Sequence, residues 1–321
     1  MYMLNLPKKV YFKKGALSVA LKELDEVYGA KRAFIISDAN LYTTGVVAPV
    51  YDFLRNRGIS AAEYFTIDAE PTFENVRAGL PKMLNFQPDF FVAVGGGSVM
   101  SVAKAMWLLY ENPELDLNEA AKNFNSLTVE RAAFPTVGVK AKMALIPTTT
   151  GTGSECSPFA VLTNDAGEKC VIANYSLIPE LAVIDADYSI GMPDELVKKS
   201  GLTALTLAAR AYIAGYESEY TQGVAREAAE AVLNNLADAL TSGYAKENAI
   251  IKLSYAGALA GMAYSNAADT LDVDAGFYPS EAEKAKTDLI VDLAKAVGIE
   301  GENDDEIFAN WIAACEALAA L

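Results

Sequence analysis

Histidine does not occur anywhere in the 321 residues of this chain. Any chemistry that needs imidazole as base, proton shuttle or metal ligand is therefore excluded at the outset. Cysteine is nearly as scarce. Cys156, Cys170 and Cys315 are odd in number, widely spaced and without a CxxC pair, which excludes a disulfide framework or a zinc ribbon and fits a reducing compartment. Basic side chains are also few: 26 Lys and Arg stand against 42 Asp and Glu, a formal charge of −16. That balance repels phosphate backbones and anionic lipid, so nucleic acid and membrane surfaces are poor partners. No apolar run reaches the roughly 18 residues that span a bilayer, and the first residues lack a cationic start followed by an apolar core, so a cytoplasmic location is expected. What is abundant is core material. With 52% hydrophobic residues and a mean hydropathy of +0.16, the chain has enough for two compact units or one large α/β unit, and global disorder is ruled out.

The first part of the chain alternates short β-rich runs with helical patterns. Residues 9–15 read as a strand and turn, 17–28 as an amphipathic helix and 32–37 as a buried strand ending at Asp38. The pattern repeats as a helix over 47–57, a strand over 62–67, a helix over 72–85, a strand over 90–94, and then Gly95-Gly96-Gly97-Ser98 leading into another helix. Strand-like runs at 144–147, 159–163 and 181–184 close this part. Strands alternating with helices predict a doubly wound, Rossmann-like parallel sheet. From Pro193 the character changes. Segments 197–214, 218–240, 247–268, 280–297 and 304–321 are long, Ala-rich and helical in period, which predicts an all-helical second domain. We place the α/β domain at 1–188 and the helical domain at 189–321.

Three segments carry candidate chemistry. Gly95-Gly96-Gly97-Ser98 lies between an apolar strand and a helix, where glycine lets backbone N–H groups approach a pyrophosphate and the helix start supplies partial positive charge. The same residues also suit a plain tight turn. Asp38 ends an early strand, where a carboxylate can accept hydrogen bonds from a ribose diol or simply cap a helix. Pro147 to Glu155 gathers hydroxyls and glycines after an apolar run, a density suited to phosphate or ribose contacts or to a hydroxyl-stabilised turn.

Taken in order, Leu6 to Phe12, Ser37-Asp38, Gly95 to Ser98 with Ala103-Lys104, Gly138 to Met143, Pro147 to Glu155 and Pro179 to Ala186 resemble the iron-containing (group III) alcohol dehydrogenase family. Within it, they resemble the alcohol dehydrogenase half of the bifunctional aldehyde/alcohol dehydrogenases. The likeness covers most of residues 1–268. It implies the two-domain fold shared with dehydroquinate-synthase-like proteins, with NAD and a small alcohol or aldehyde in the cleft between the domains. It further implies that Asp38 holds the adenosine ribose and that Gly95, Gly96, Gly97 and Ser98 hold the pyrophosphate. Thr148, Thr149 and Thr152 fall at the adenine side and phosphates, and Lys169 near the nicotinamide ribose.

The family holds its metal with one Asp and three His, the first two spaced Asp-Ala-x-x-His on a helix. The corresponding helix here places Thr203 and Leu207 at those positions, and neither binds Fe²⁺ or Zn²⁺ usefully. Ser101 stands where the family has an aspartate after the glycine motif, and Arg210 where an acid follows the helix ligand. The segment that carries the other two histidines is replaced by Ala267 to Pro279, so the helical domain is expected to be shortened and to carry no metal. Asp269, Asp272 and Asp274 in that segment suit a solvated turn better than a hard-cation site. Gly257 and Gly261, in helical register, suit close helix packing. The expected protein is an NAD(H)-binding, homo-oligomeric member of the family, impaired or inactive in alcohol and aldehyde redox, whether a pseudoenzyme or an engineered reduced variant. The rivals are a metal-free oxidoreductase using Lys169 or a tyrosine as proton donor, and a structural module without nucleotide.

Overall fold

The structure is a computed structural model, and it describes residues 4–127, 134–214, 218–269, 271 and 286–321. The chain opens with β1 (Lys9–Phe12), α1 (Leu17–Ala20) and α2 (Lys22–Glu26). The pattern over 17–28 predicts one helix, but two short ones form. The backbone stays right-handed at Leu21 (φ −64°, ψ −20°), while the Leu24 N–H bonds to Leu21 O at 3.1 Å, a tightened turn that breaks the longer helix. Next come β2 (Arg32–Ile36), α3 (Ala39–Thr43), α4 (Ala48–Asn56), β3 (Ser60–Tyr64), α5 (Phe73–Phe86), β4 (Phe90–Gly95) and α6 (Gly97–Glu111). Thr72 and Asn75 start α5 with a reciprocal capping box, which satisfies two otherwise orphaned N–H groups. A helix the pattern does not predict, α7 (Leu117–Asn123), is started by the carboxylate of Asp116 accepting from the N–H groups of Asn118 and Glu119.

The remaining strands are β5 (Lys142–Pro147), β6 (Phe159–Thr163), β7 (Lys169–Ala173) and β8 (Leu181–Ile184). Six strands form one sheet in the order β1-β8-β5-β4-β2-β3, and every pairing is parallel. Alternate side chains feed two cores. Phe34, Ile36, Phe91, Ala93, Met143 and Leu145 pack on one face, and Ala33, Ile35, Val92, Val94, Ala144 and Ile146 on the other. A strand buried on both faces needs helices above and below, which is the doubly wound arrangement. The run 159–163 does not join this sheet. It pairs antiparallel with β7 as a separate two-stranded ribbon, Phe159 opposite Ala173 through Thr163 opposite Lys169.

The chain divides into two compact units, one made of Leu6–Thr148 and Ser154–Tyr188, the other of the residues up to Asn5, Thr149–Gly153 and Ser189 onward. The second unit is helical: α8 (Asp194–Tyr212), α9 (Glu219–Ala239), α10 (Gly243–Ala267), α11 (Thr287–Ala296) and α12 (Asp304–Ala320). Its core is built on alanines such as Ala204, Ala208, Ala228 and Ala256 around Leu205, Leu236, Leu253, Ile290 and Trp311. Small side chains let helix axes approach closely, and the larger residues fill what remains. None of the described helices is long and apolar enough to cross a membrane.

Inside the helical unit the segment Thr149–Gly153 is gripped by backbone. A Cβ added at Gly151 would lie 1.5 Å from Ser200 O, one at Gly261 would lie 2.4 Å from Gly153 O, and one at Gly257 would lie 2.6 Å from Thr150 O. Thr150 Oγ1 and Ser200 Oγ share a hydrogen bond of 2.8 Å. Gly257 and Gly261 therefore admit a loop rather than another helix.

Candidate functional site

Strand β4 ends in a fully buried apolar run, and the chain turns at Gly95-Gly96-Gly97 into α6. Gly95 is required at the bend: a Cβ there would meet Val99 Cβ at 2.5 Å. Gly96 sits at the N-cap in extended conformation and no side chain caps the helix. The first N–H groups of a 15-residue helix are thus left for solvent or a ligand, and the helix dipole favours an anion there. The Ser98 hydroxyl donates to Ala69 O at 2.7 Å, so its proton is committed within the protein.

Neighbouring strands bring two more of the sequence-derived residues to this end of the sheet. The Thr148 N–H donates to Gly95 O at 3.0 Å, one residue beyond the paired Gly95 and Pro147. Ser37, fully buried at the end of β2, donates to Val94 O at 2.7 Å, and Asp38 follows it. The Asp38 carboxylate caps α3, accepting from the Leu41 N–H at 2.9 Å through Oδ1. Capping uses one carboxylate oxygen, so the helix-cap reading and the ribose reading are compatible at this residue. Thr149 and Thr152 lie in the segment held by the helical unit. Thr149 Oγ1 is buried without a hydrogen-bond partner, an orphan that a bound polar group would satisfy. Lys169 is exposed at the start of β7. The uncapped helix start, the glycine bend and the free Asp38 oxygen fit a dinucleotide.

On α8, Thr203 and Leu207 are one helical turn apart and share a face. The Thr203 hydroxyl donates to Lys199 O at 2.9 Å, and Leu207 packs on the helical core. Ser101, on α6, accepts from the Val161 N–H at 3.1 Å and so ties the helix to the β6–β7 ribbon. Among the described residues no group of three or more His, Cys, Asp or Glu is placed to hold a metal ion. Asp272 and Asp274 of the acidic run lie outside the described residues. A hydroxyl bonded to its own helix and a leucine do not form the donor set of a transition-metal site.

Sequence reasoning missed one feature. Lys104 is fully buried on α6, and its ammonium donates to Ser154 O (2.7 Å), Ser157 O (2.5 Å) and Phe159 O (3.0 Å). Glu155, 2% exposed, lies on the same short turn with Oε2 unpartnered. Burial pushes the Lys104 amine down to about 7, against the attraction of the Glu155 charge, and pushes the Glu155 carboxyl up to about 7 from an ordinary 4.5. The three carbonyls around Nζ call for three N–H donors, which only the charged amine supplies.

A raised carboxyl pKa has a defined consequence. The stability that goes with protonated Glu155 is fully present below its unfolded value of 4.5 and is lost as pH rises through about 7. Glu155→Gln removes this dependence. The stability of wild type minus that of the variant, from denaturant midpoints, is expected to fall by on the order of 2 kcal/mol between about pH 5 and about pH 8. Parallel pH profiles for the two proteins would contradict the assignment.

The family model for iron-containing alcohol dehydrogenases matches residues 7–186. The bifunctional aldehyde-alcohol dehydrogenase AdhE of Escherichia coli (strain K12) is 39% identical over 266 residues, covering 82% of this chain and 30% of its own length. The NADPH-dependent butanol dehydrogenase of Clostridium saccharobutylicum is 33% identical over 268 residues, covering 83% of this chain and 65% of its own. The crystal structure of 1,3-propanediol oxidoreductase superposes with a TM-score of 0.83 at 28% identity, over 100% of this chain and 86% of that one. The chain belongs to the iron-containing alcohol dehydrogenase family. It spans about 30% of the length of the bifunctional relative.

Proposed function

We propose that this chain binds NAD(H) on its α/β unit but does not hold the transition metal of its family, and is therefore impaired or inactive in alcohol and aldehyde redox. The observation that carries the metal half of this reading is the pair on α8. Where the family resemblance calls for a carboxylate and an imidazole, a hydroxyl committed to Lys199 O and a half-buried leucine packed on the helical core stand, in a chain without a single histidine. The nucleotide half is supported by the uncapped start of α6 and the obligatory glycine at its bend. The name of the butanol dehydrogenase relative records NADPH dependence, so the relative supports a nicotinamide nucleotide in general and the preference for NADH rests on Asp38. In this reading the half-buried, uncapped start of α6 binds the pyrophosphate and Asp38 binds the adenosine ribose through the carboxylate oxygen not used in capping. Water or a small alcohol or aldehyde occupying the substrate position meets no Lewis acid.

Calorimetric titration with NADH and NADPH tests the nucleotide half. NADH is expected to bind more tightly, because the Asp38 carboxylate faces the 2′-phosphate of NADPH, and like charges about 4 Å apart cost on the order of 1–4 kcal/mol. Asp38→Asn keeps a helix cap of equal quality and removes the charge, so the preference should shrink by about tenfold, or ~1.4 kcal/mol. Absence of NADH binding by the wild-type chain defeats the nucleotide half, and an unchanged preference in Asp38→Asn defeats the role of Asp38.

A further inference from the structure

We infer that Lys104 is a positioning residue for the nucleotide, an internal tie that fixes the Ser154–Phe159 turn against α6, the helix that the glycine turn opens. The inference rests on the nucleotide reading and goes beyond it, because Lys104 touches no part of the proposed phosphate or ribose contacts.

Within the α/β unit, Thr148 and the Ser154–Phe159 turn are bonded to the same strand-turn-helix segment. The Thr148 N–H donates to Gly95 O at 3.0 Å. Ser154 O accepts from Lys104 Nζ at 2.7 Å, and the same amine also holds Ser157 O at 2.5 Å and Phe159 O at 3.0 Å, with Ser157 Oγ at 3.3 Å. Lys104 lies about two helical turns on from Gly97, so Thr148 and the Ser154–Phe159 turn are both fastened to β4 and α6, the elements that aim the glycine turn. A fully buried position on α6, flanked along the helix by the core residues Met100, Ala103, Trp107 and Leu108, would be filled by an aliphatic side chain if packing were its only task. Burying an amine there is costly unless every N–H is used, and here three carbonyls from three different residues use them. Each of these carbonyls is fixed by one shared centre, so the turn after the loop moves only if α6 moves with it. A dinucleotide pressed against the α6 start needs that geometry set before it arrives, since ordering a loop on binding weakens affinity.

A purely structural amine would lower stability without changing affinity, and the two roles are separable. In Lys104→Met the length is kept and the donors are lost, and the dissociation constant for NADH, titrated at low temperature on protein shown to be folded by near-ultraviolet circular dichroism, is expected to rise at least about tenfold. Ile290→Ala, in the core of the helical unit, is the matched destabilised control, and its affinity should stay within about twofold of wild type. Lys104→Gln, which retains an amide donor, should fall between, and it decides the question if the methionine variant does not fold. In wild-type protein, saturating NADH should also slow hydrogen exchange of the backbone amides over Ser154–Phe159. Wild-type affinity in folded Lys104→Met or Lys104→Gln overturns the inference, and so does exchange over Ser154–Phe159 that NADH leaves unchanged. Wild-type protein that binds no NADH overturns the nucleotide reading itself and the inference with it.

Discussion

Gly151→Ala is expected to cost about 3 kcal/mol or more, or to prevent accumulation of folded protein altogether. A new Cβ there would sit 1.5 Å from Ser200 O, and the obstacle is backbone in the middle of α8, not the end of a flexible side chain that could swing away. Relief requires moving the Thr149–Gly153 segment off the helix, which also breaks the 2.8 Å bond between the Thr150 and Ser200 hydroxyls. Overpacking of this kind ordinarily costs 1–3 kcal/mol where side chains can yield, and here none can. Gly261→Ala should behave alike, with its Cβ 2.4 Å from Gly153 O. Gly223→Ala is the informative contrast. Gly223 is an exposed residue of α9 with nothing within 4 Å of an added Cβ, so the change should stabilise by about 0.5–1 kcal/mol. Thermal melts of the three variants beside wild type read this directly, and equal midpoints for Gly151→Ala and Gly223→Ala would show that the loop is not held as described.

NAD-dependent oxidation of ethanol by this chain is expected to run roughly 10³- to 10⁶-fold below that of a metal-bearing family member assayed in parallel. A Lewis-acid metal stabilises the transition state by several kcal/mol, and ~4–8 kcal/mol corresponds to that range. On the proposed reading, supplying excess Fe²⁺ or Zn²⁺ should not close the gap, because a hydroxyl bonded to its own helix and an aliphatic side chain offer no strong ligand. The double variant Thr203→Asp, Leu207→His restores a ligand pair one turn apart on α8, but it restores only two ligands. Two ligands bind zinc weakly and leave its geometry unfixed, and a substrate oxygen held loosely does not reach a near-attack arrangement. Turnover by the wild-type chain at rates typical of enzymes, or by the double variant, would mean that the remaining groups suffice for catalysis.

The doubly wound sheet could be read from the sequence because runs such as Phe90-Phe-Val-Ala-Val94 and Arg32-Ala-Phe-Ile-Ile36 are apolar on both faces and alternate with helical periods. The two faces of β2 and β4 feed separate cores in the structure. The fate of 159–163 was not legible, since an apolar run of strand length does not say which strand it pairs with, and its partner Lys169–Ala173 carries little pattern of its own. The break at Leu21 has no Gly or Pro to announce it. The short helix after Asp116 was announced only by a capping residue, whose carboxylate accepts from two N–H groups.

At the site, the glycine turn was legible because its residues have few uses between a buried strand and a helix. The Lys104 tie was not, because a lysine on a helix reads as a solvated one until its neighbours are known. Its signal was available in retrospect: apart from Ser101 and Lys104 itself, Val99 to Leu109 is apolar around the whole helix, and a lone cation in such a stretch has no wet face to occupy. Gly257 and Gly261 were legible as positions of close approach, but that a threonine loop fills the gap depends on contacts far apart in sequence.

Native mass spectrometry of the wild-type chain, incubated with NADH together with excess Zn²⁺ or Fe²⁺ and then freed of unbound ligand, tests the central claim on single molecules. The expected spectrum shows the chain carrying one NADH and no metal ion. A species bearing one metal ion per chain, or one bearing no nucleotide at any NADH concentration, would contradict the account.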